Sequence, residues 1–249
     1  MKIYAIGDLH LKGGTDKTME IFGENWEDHS RKIEENWRKK IDNEDMVLIP
    51  GDISWAMNLE DAVEDLNWLG NLPGRKVLIR GNHDFWWKSI SQIRKVLHPS
   101  IQLVQNNSVN HNGIVVAGTR LWNNPELNFD GEIDWKPRES FGLAPERKRR
   151  ESDEKVLDRE LERLKLSLQT VPSKREKLIV MLHFPPTDFS FQFTGAMEIL
   201  HNYGTDICVF GHLHTLKNEL VPDWPVTEMG VKFYLVSSDF INFDPVRVM

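Results

Sequence analysis

An α/β fold built on a parallel sheet is predicted by three features of this 249-residue sequence. Short apolar, β-branched runs alternate with segments of helical periodicity, the rhythm of strands joined by right-handed helical crossovers. Several of those runs end in Gly, Asp, Asn or His, as parallel strands do when they present side chains at their carboxyl ends. A strong hairpin signal, Asn112-Gly113 before the apolar run 114–117, marks entry into a second sheet.

The chain is long enough to bury a full core, and it reads as one domain over residues 1–249. Hydrophobic residues make up 40% and charged residues 28%, as in an ordinary globular protein. No apolar run approaches the roughly 20 residues of a membrane span, and the first strand begins at once without a signal peptide's pattern, so a cytoplasmic protein is expected. The single Cys208 lies inside an apolar run and reads as a buried, inert thiol. A net charge of −7 argues against a general nucleic-acid coat. It does not exclude an anionic substrate, because bound divalent cations reverse the local field of a site.

Taken in order, residues 2–6 alternate into a strand ending at Gly7-Asp8-Leu9-His10. On an extended segment Asp8 and His10 leave the same face and can share one metal ion. Residues 26–41 carry Ile33, Trp37 and Ile41 at a spacing of four and read as a helix covering the sheet. The second strand, 46–49, ends at Pro50-Gly51-Asp52. Asn58 then caps a helix bearing Ala62, Val63, Leu66 and Leu69, with Glu60 and Asp61 in its first turn. Val77-Leu78-Ile79 is the core of the third strand, and Gly81 breaks it before Asn82-His83-Asp84. By itself that tripeptide is also ordinary loop composition. Phe85, Trp86 and Trp87 open a further helix whose core face is Ile90, Ile93 and Leu97.

Residues 101–119 switch to short strands. Residues 122–150 lack periodicity and read as an irregular insertion, a flap beside the site, whose basic run 147–150 is a solvated approach to the next helix. Ser152 caps that helix, which carries Leu157, Leu161, Leu164 and Leu168 on one stripe and is ended by Pro172. A strand at 178–182 ends in His183-Phe184-Pro185-Pro186, where the prolines forbid an immediate helix. A helix at 195–203 follows, then a strand at 206–210 ending in Gly211-His212-Leu213-His214. Runs at 233–236 and 246–248 supply closing strands.

The strand ends together present Asp8, His10, Asp52, Asn82, His183, His212 and His214, with His83 and Asp84 alongside. Four imidazoles, two carboxylates and an amide form a borderline ligand set suited to Mn, Fe, Zn or Co rather than Ca or a lone Mg. Seven ligands are too many for one ion. Two ions roughly 3.5–4 Å apart, sharing a carboxylate, would use all seven and leave positions open for substrate.

In these five ordered motifs, Asp8-Leu9-His10, Gly51-Asp52, Gly81-Asn82-His83-Asp84, His183 and Gly211-His212-Leu213-His214, the sequence resembles the calcineurin-like metallophosphoesterase superfamily. The motifs span residues 8–214, most of the chain. The resemblance implies a two-sheet sandwich flanked by helices. It gives one metal to Asp8, His10 and His214 and the other to Asn82, His183 and His212, with Asp52 bridging. Mn or Fe is the favoured metal, Zn or Co the next. A metal-bridging hydroxide would attack a phosphomonoester or phosphodiester, nucleotide-like esters included. His83 would protonate the leaving oxygen, and Asp84 would orient its ring.

One departure from the relatives is informative. The protein Ser/Thr phosphatases follow Gly-Asp with Asp three positions later and then Arg, where this chain has Trp55 and Ala56. Trp55 is suited either to stack on an aromatic leaving group or to pack beneath the loop. Arg120, in Gly118-Thr119-Arg120, is suited equally to a phosphate or to a surface ion pair. His29, His98, His111 and His201 match no motif and read as surface or capping residues. The expected activity is that of a phosphoric ester hydrolase on a small substrate. A metal-binding scaffold of the same fold is the alternative, although a scaffold has no need of His83 and Asp84.

Overall fold

A computed structural model of the protein describes residues 1–15, 19–133 and 146–249. Strands β1 (Ile3–Ala5), β2 (Met46–Ile49), β3 (Arg75–Leu78) and β4 (Ile101–Leu103) run parallel in one sheet, and β11 (Val246–Arg247) closes it antiparallel beside β1. The second sheet has the order β5 (Val109–His111), β6 (Ile114–Thr119), β7 (Lys177–Leu182), β8 (Ile207–Phe210), β10 (Val231–Leu235) and β9 (Val226–Glu228). Its four central strands are parallel and its two edges antiparallel.

Every central strand is apolar on both faces because both faces are covered. Ile3, Ala5, Met46, Leu48, Val77 and Ile79 of the first sheet meet Val116, Ile179, Met181, Val209 and Val236 of the second in one buried layer. The outer face of the first sheet packs on α1 (His29–Lys40), α2 (Leu59–Asn71) and α3 (Ile90–Val96) through Ile33, Trp37, Leu66, Leu69 and Ile93. That of the second packs on α4 (Glu146–Gln169) and α5 (Gly195–Asn202) through Leu164, Leu168, Met197 and Leu200. The result is the two-sheet sandwich flanked by helices that the resemblance implies.

The helix boundaries show where local pattern competes with packing. Asn58 caps α2 as the sequence predicts, its Oδ1 accepting from the Asp61 N–H at 3.0 Å. The third helix starts at Ile90 rather than Phe85, since residues 84–87 turn tightly, the Trp87 N–H reaching the Asp84 carbonyl at 3.2 Å, and both indoles of Trp86 and Trp87 enter the core. Ser152 caps nothing: α4 begins at Glu146, so Ser152 lies within it. The switch between sheets falls after β4, which completes the first sheet. Of the predicted insertion, 122–133 is irregular, 134–145 lies outside the described residues, and 146–150 opens α4. Among the described residues no helix is long and apolar enough to cross a membrane.

The two sheets point their parallel strands the same way, so eight carboxyl ends gather on one edge. There the sheets are stitched together. Gly7 bridges to Ser237, its N–H reaching the Val236 carbonyl at 2.7 Å, and Ser238 Oγ donates to the Gly7 carbonyl at 2.6 Å.

Candidate metal centre

On that edge the loops after β1, β2, β3, β7 and β8 bring all seven predicted ligand residues together. Asp8, His10 and His214 offer ligand atoms within 4.8 Å of one another, and so do Asp8, Asp52 and His183. Asp8 is common to both groups, and Asp52 Oδ2 of the second lies 3.7 Å from His10 Nε2 and 3.5 Å from His183 Nε2. Asn82 Oδ1 is 2.6 Å from His183 Nε2. The His212 ring stands with its centroid 5.1 Å from that of His183 and packs at 3.9 Å on Phe184, while its backbone N–H donates to the Asp8 carboxylate.

The backbone is bent to achieve this. Asp8, His10, Asp52 and His212 all have positive φ, at 57°, 44°, 52° and 73°, a conformation that is costly for residues with a Cβ and persists only where surroundings enforce it. The glycines before Asn82 and His212 have a steric cause. A Cβ on Gly81 would strike the Asp52 carboxylate, and one on Gly211 would strike that of Asp8.

The donor set fits cations because its lone pairs face one another. His183 Nδ1 sits 2.9 Å from the Pro50 carbonyl, which can only accept, so the proton of the neutral ring belongs on Nδ1. Its Nε2 lone pair then faces Asn82 Oδ1 and Asp52 Oδ2. His214 Nδ1 lies likewise 2.7 Å from Asp239 Oδ1, which turns Nε2 toward His10 Nε2 at 3.4 Å and Asp8 Oδ1 at 3.7 Å. Such an arrangement is repulsive by itself and attractive around a cation.

For His10, His183 and His212 the proton affinities agree. Burial holds His10 and His212 well below the ordinary histidine range and His183 down to about 3, leaving these imidazoles neutral as ligands must be. Burial pushes Asp8 up to about 7, with His214 pulling back and the Asp52 charge adding to the rise, and it also raises Asp52. Burial opposes a charged His214, but Asp239 outweighs it and lifts that ring to about 9.

His83 shares the centre without joining the ligand groups. Its N–H donates to Asp52 Oδ1 at 2.8 Å, and its ring lies 4.6 Å from Trp55 and 5.7 Å from His10. Trp55 stacks on His10 at 4.9 Å, so it packs against a candidate ligand and walls the site at once. Asp84, expected to orient the His83 ring, is fully buried. Its carboxylate instead accepts five N–H groups: from Ile53, Ser54 and the Trp86 indole on Oδ1, and from Asp52 and Gly81 on Oδ2, at 2.7–3.2 Å. Asp84 thereby clamps the Asp52 loop to the Asn82 loop.

Two residues of the site escape sequence reading. Asp239, after β10, partners His214, and its place behind an apolar run is the same signal that marks the other strand ends. His29 is buried rather than superficial. Its Nε2 is 3.2 Å from the His10 carbonyl and its Nδ1 3.2 Å from that of Trp26, which anchors the strained His10 loop to α1.

Comparison with known proteins agrees with this geometry. The Gene 66 proteins of Mycobacterium phages D29 and L5 are 39% identical over 82 residues and 37% over 79, or 33% and 31% of this chain. The chain spans about two fifths of those relatives, 40% and 37% of their length. The phosphopantetheinyl hydrolase of Mycobacterium tuberculosis shares the fold, with a TM-score of 0.55 at 14% identity over 100% of this chain and 95% of that one. The family model for calcineurin-like phosphoesterases matches residues 1–216, from β1 through His214, and the chain belongs to that family.

Proposed function

We propose that the protein is a dinuclear metal-dependent phosphoesterase acting on a phosphomonoester or phosphodiester. The observation that carries this reading is the convergence of imidazole, carboxylate and amide ligand atoms from both sheets around Asp8 and Asp52. Asp8, His10 and His214 would hold one ion and Asn82, His183 and His212 the other, with Asp52 shared. The mixed imidazole, carboxylate and amide donor set suits Mn or Fe, with Zn or Co next. Bound dications supply a lowered water pKa and neutralise the phosphoryl oxygens.

The chain's own residues do the rest. His83, beside the shared carboxylate and against Trp55, carries a proton at its ring for the departing oxygen. Trp55 and the 40% exposed Phe85 flank that ring and limit water beside it. Asp84 acts one step back, holding Asp52 and Asn82 in mutual register through backbone N–H groups.

The test is metal-reconstituted protein assayed against monoesters, diesters, cyclic nucleotides and phosphopeptides, with elemental analysis of the same sample. Two ions per chain and hydrolysis of one ester class are expected. His83→Ala should lower turnover by about 10²–10⁴-fold with metal content kept, the usual range for a positioned acid. The loss should shrink for a nitrophenyl ester, whose leaving group needs no proton. A parent inert toward every ester despite two bound ions would replace the enzyme with a metal-dependent binding module.

A further inference from the structure

We infer that Asp65 of α2 is a positioning residue that seats the His10 loop on the Asp52 loop, so that the ion held by Asp8, His10 and His214 depends on it and the other ion does not. This rests on the dinuclear reading and names a residue that governs one of its two sites.

The two loops carry the pairing of β1 with β2 beyond the sheet. The N–H groups of Asp8, His10 and Leu11 reach the carbonyls of Gly51, Asp52 and Ile53 at 3.0 Å each, and the Trp55 N–H returns to the Leu11 carbonyl at 2.9 Å. Leu11 and Ser54 are parallel partners there. Two residues on, the Gly13 N–H donates to Asp65 Oδ2 at 2.8 Å, and the same oxygen accepts from Ser54 Oγ at 2.5 Å. One carboxylate oxygen thus ties the ends of both loops to each other and to α2. The approach is close: Gly13 has φ of 59°, and a Cβ there would lie 2.3 Å from the Ala56 nitrogen and 2.7 Å from Ser54 Oγ.

Ser54 is the junction, and it is buried. Its N–H goes to Asp84 Oδ1 at 3.2 Å, its hydroxyl donates to Asp65, and its Oγ accepts the Ala56 N–H at 3.1 Å. Trp55, between Ser54 and Ala56, is placed by the same contacts. Its indole N–H donates to Met19 Sδ at 3.3 Å, and its ring stacks on His10 at 4.9 Å.

The consequence is one-sided. Asp84 holds the Asp52 loop independently through the N–H groups of Asp52, Ile53 and Ser54, so that loop keeps its place when Asp65 is removed. The freedom gained falls on the His10 loop, where His10 has φ of 44° and relaxes once a restraint is lost.

The experiment titrates metal-free protein with Mn²⁺ by calorimetry, with thermal melting of the same samples. Asp65→Ala should weaken one of the two ions by about tenfold, the low end of the range for a partner lying behind a ligand, and leave the other unchanged. His10→Ala and His212→Ala identify the ions, since each removes a ligand from one; the first should lose the ion that Asp65→Ala weakens, the second the other. Asp65→Asn, which keeps an acceptor oxygen, should bind both ions like the parent. Ser54→Ala removes one arm of the clamp and should reproduce part of the loss, which keeps the test open if Asp65→Ala does not fold. A lowered melting temperature with both affinities intact, or an equal fall at both ions, reduces Asp65 to a structural residue and overturns the inference. A parent that takes up a single ion, weakened alike by Asp65→Ala and His10→Ala, keeps the clamp and removes the dinuclear reading.

Discussion

Two buried clusters at opposite ends of the first sheet handle charge in opposite ways. At the amino end of β3, Lys76 is fully buried, yet its ammonium donates to the carbonyls of Gly70 at 3.1 Å, Gly74 at 2.9 Å and Leu72, and to Ser100 Oγ at 3.0 Å. Gly70 and Leu72 end α2, so the lysine gathers helix-terminal carbonyls that have no intrahelical donor. At the carboxyl end, Asp8 and Asp52 are equally buried, and the His10 and His183 rings beside Asp52 are held neutral by burial. A structural charge is satisfied by the chain itself. A binding charge is left for its ligand, and the left-handed backbone at four residues is part of the cost of keeping it so.

The sharpest way to probe that difference is Asp52→Asn. Metal affinity should fall at both sites by more than the roughly 10–100-fold typical of a partner lying behind a ligand. The metal-free variant should nevertheless melt above the metal-free parent, since it loses a buried, uncompensated charge. A metal-free variant that melts lower would mean that Asp52 is satisfied internally, like Lys76.

Asp239→Asn should weaken metal binding by about 10–100-fold with less effect on folding, because it frees the His214 ring to choose the wrong tautomer. Competition against a chelator of known affinity measures it. Next comes pH. His214 is raised to about 9 and Asp8 to about 7, and both must give up protons to a metal. Affinity should therefore climb as pH rises from 6 to 9, by about tenfold per unit for each proton displaced. Calorimetry in buffers of different ionisation enthalpy would count those protons, and a count of zero would contradict the protonated His214. The smallest effect on the metals belongs to Lys76→Met, which should leave affinity unchanged. It should lower unfolding free energy by about 2–4 kcal/mol, from carbonyls left without a donor at roughly 1–3 kcal/mol each.

Much of the centre was legible because each of its five motifs is local: an apolar run, a break and a ligand, all within a few residues. What resisted reading depends on which strand ends become neighbours. Asp84 looks like a partner for His83 when only adjacency in sequence is known, but folding presents it with the Asp52 loop, whose three N–H groups lie 30–32 positions away. Asp239 answers to His214 only because β10 lies beside β8. The same limit explains the third helix, where Phe85, Trp86 and Trp87 have an acceptable helical pattern but both indoles are claimed by the core.

The separation between His10 and His214, 204 positions, has a consequence for how the centre acquires its ions. At about 5–20 residues per second of synthesis, the ribosome needs roughly 10–40 s to travel from one to the other. Throughout that interval a nascent chain offers Asp8 and His10 without His214, their third partner, an incomplete site from which any captured ion exchanges freely. The choice of metal is therefore deferred to the finished cavity, and supply in the surrounding medium, rather than order of arrival on the nascent chain, decides what the centre holds.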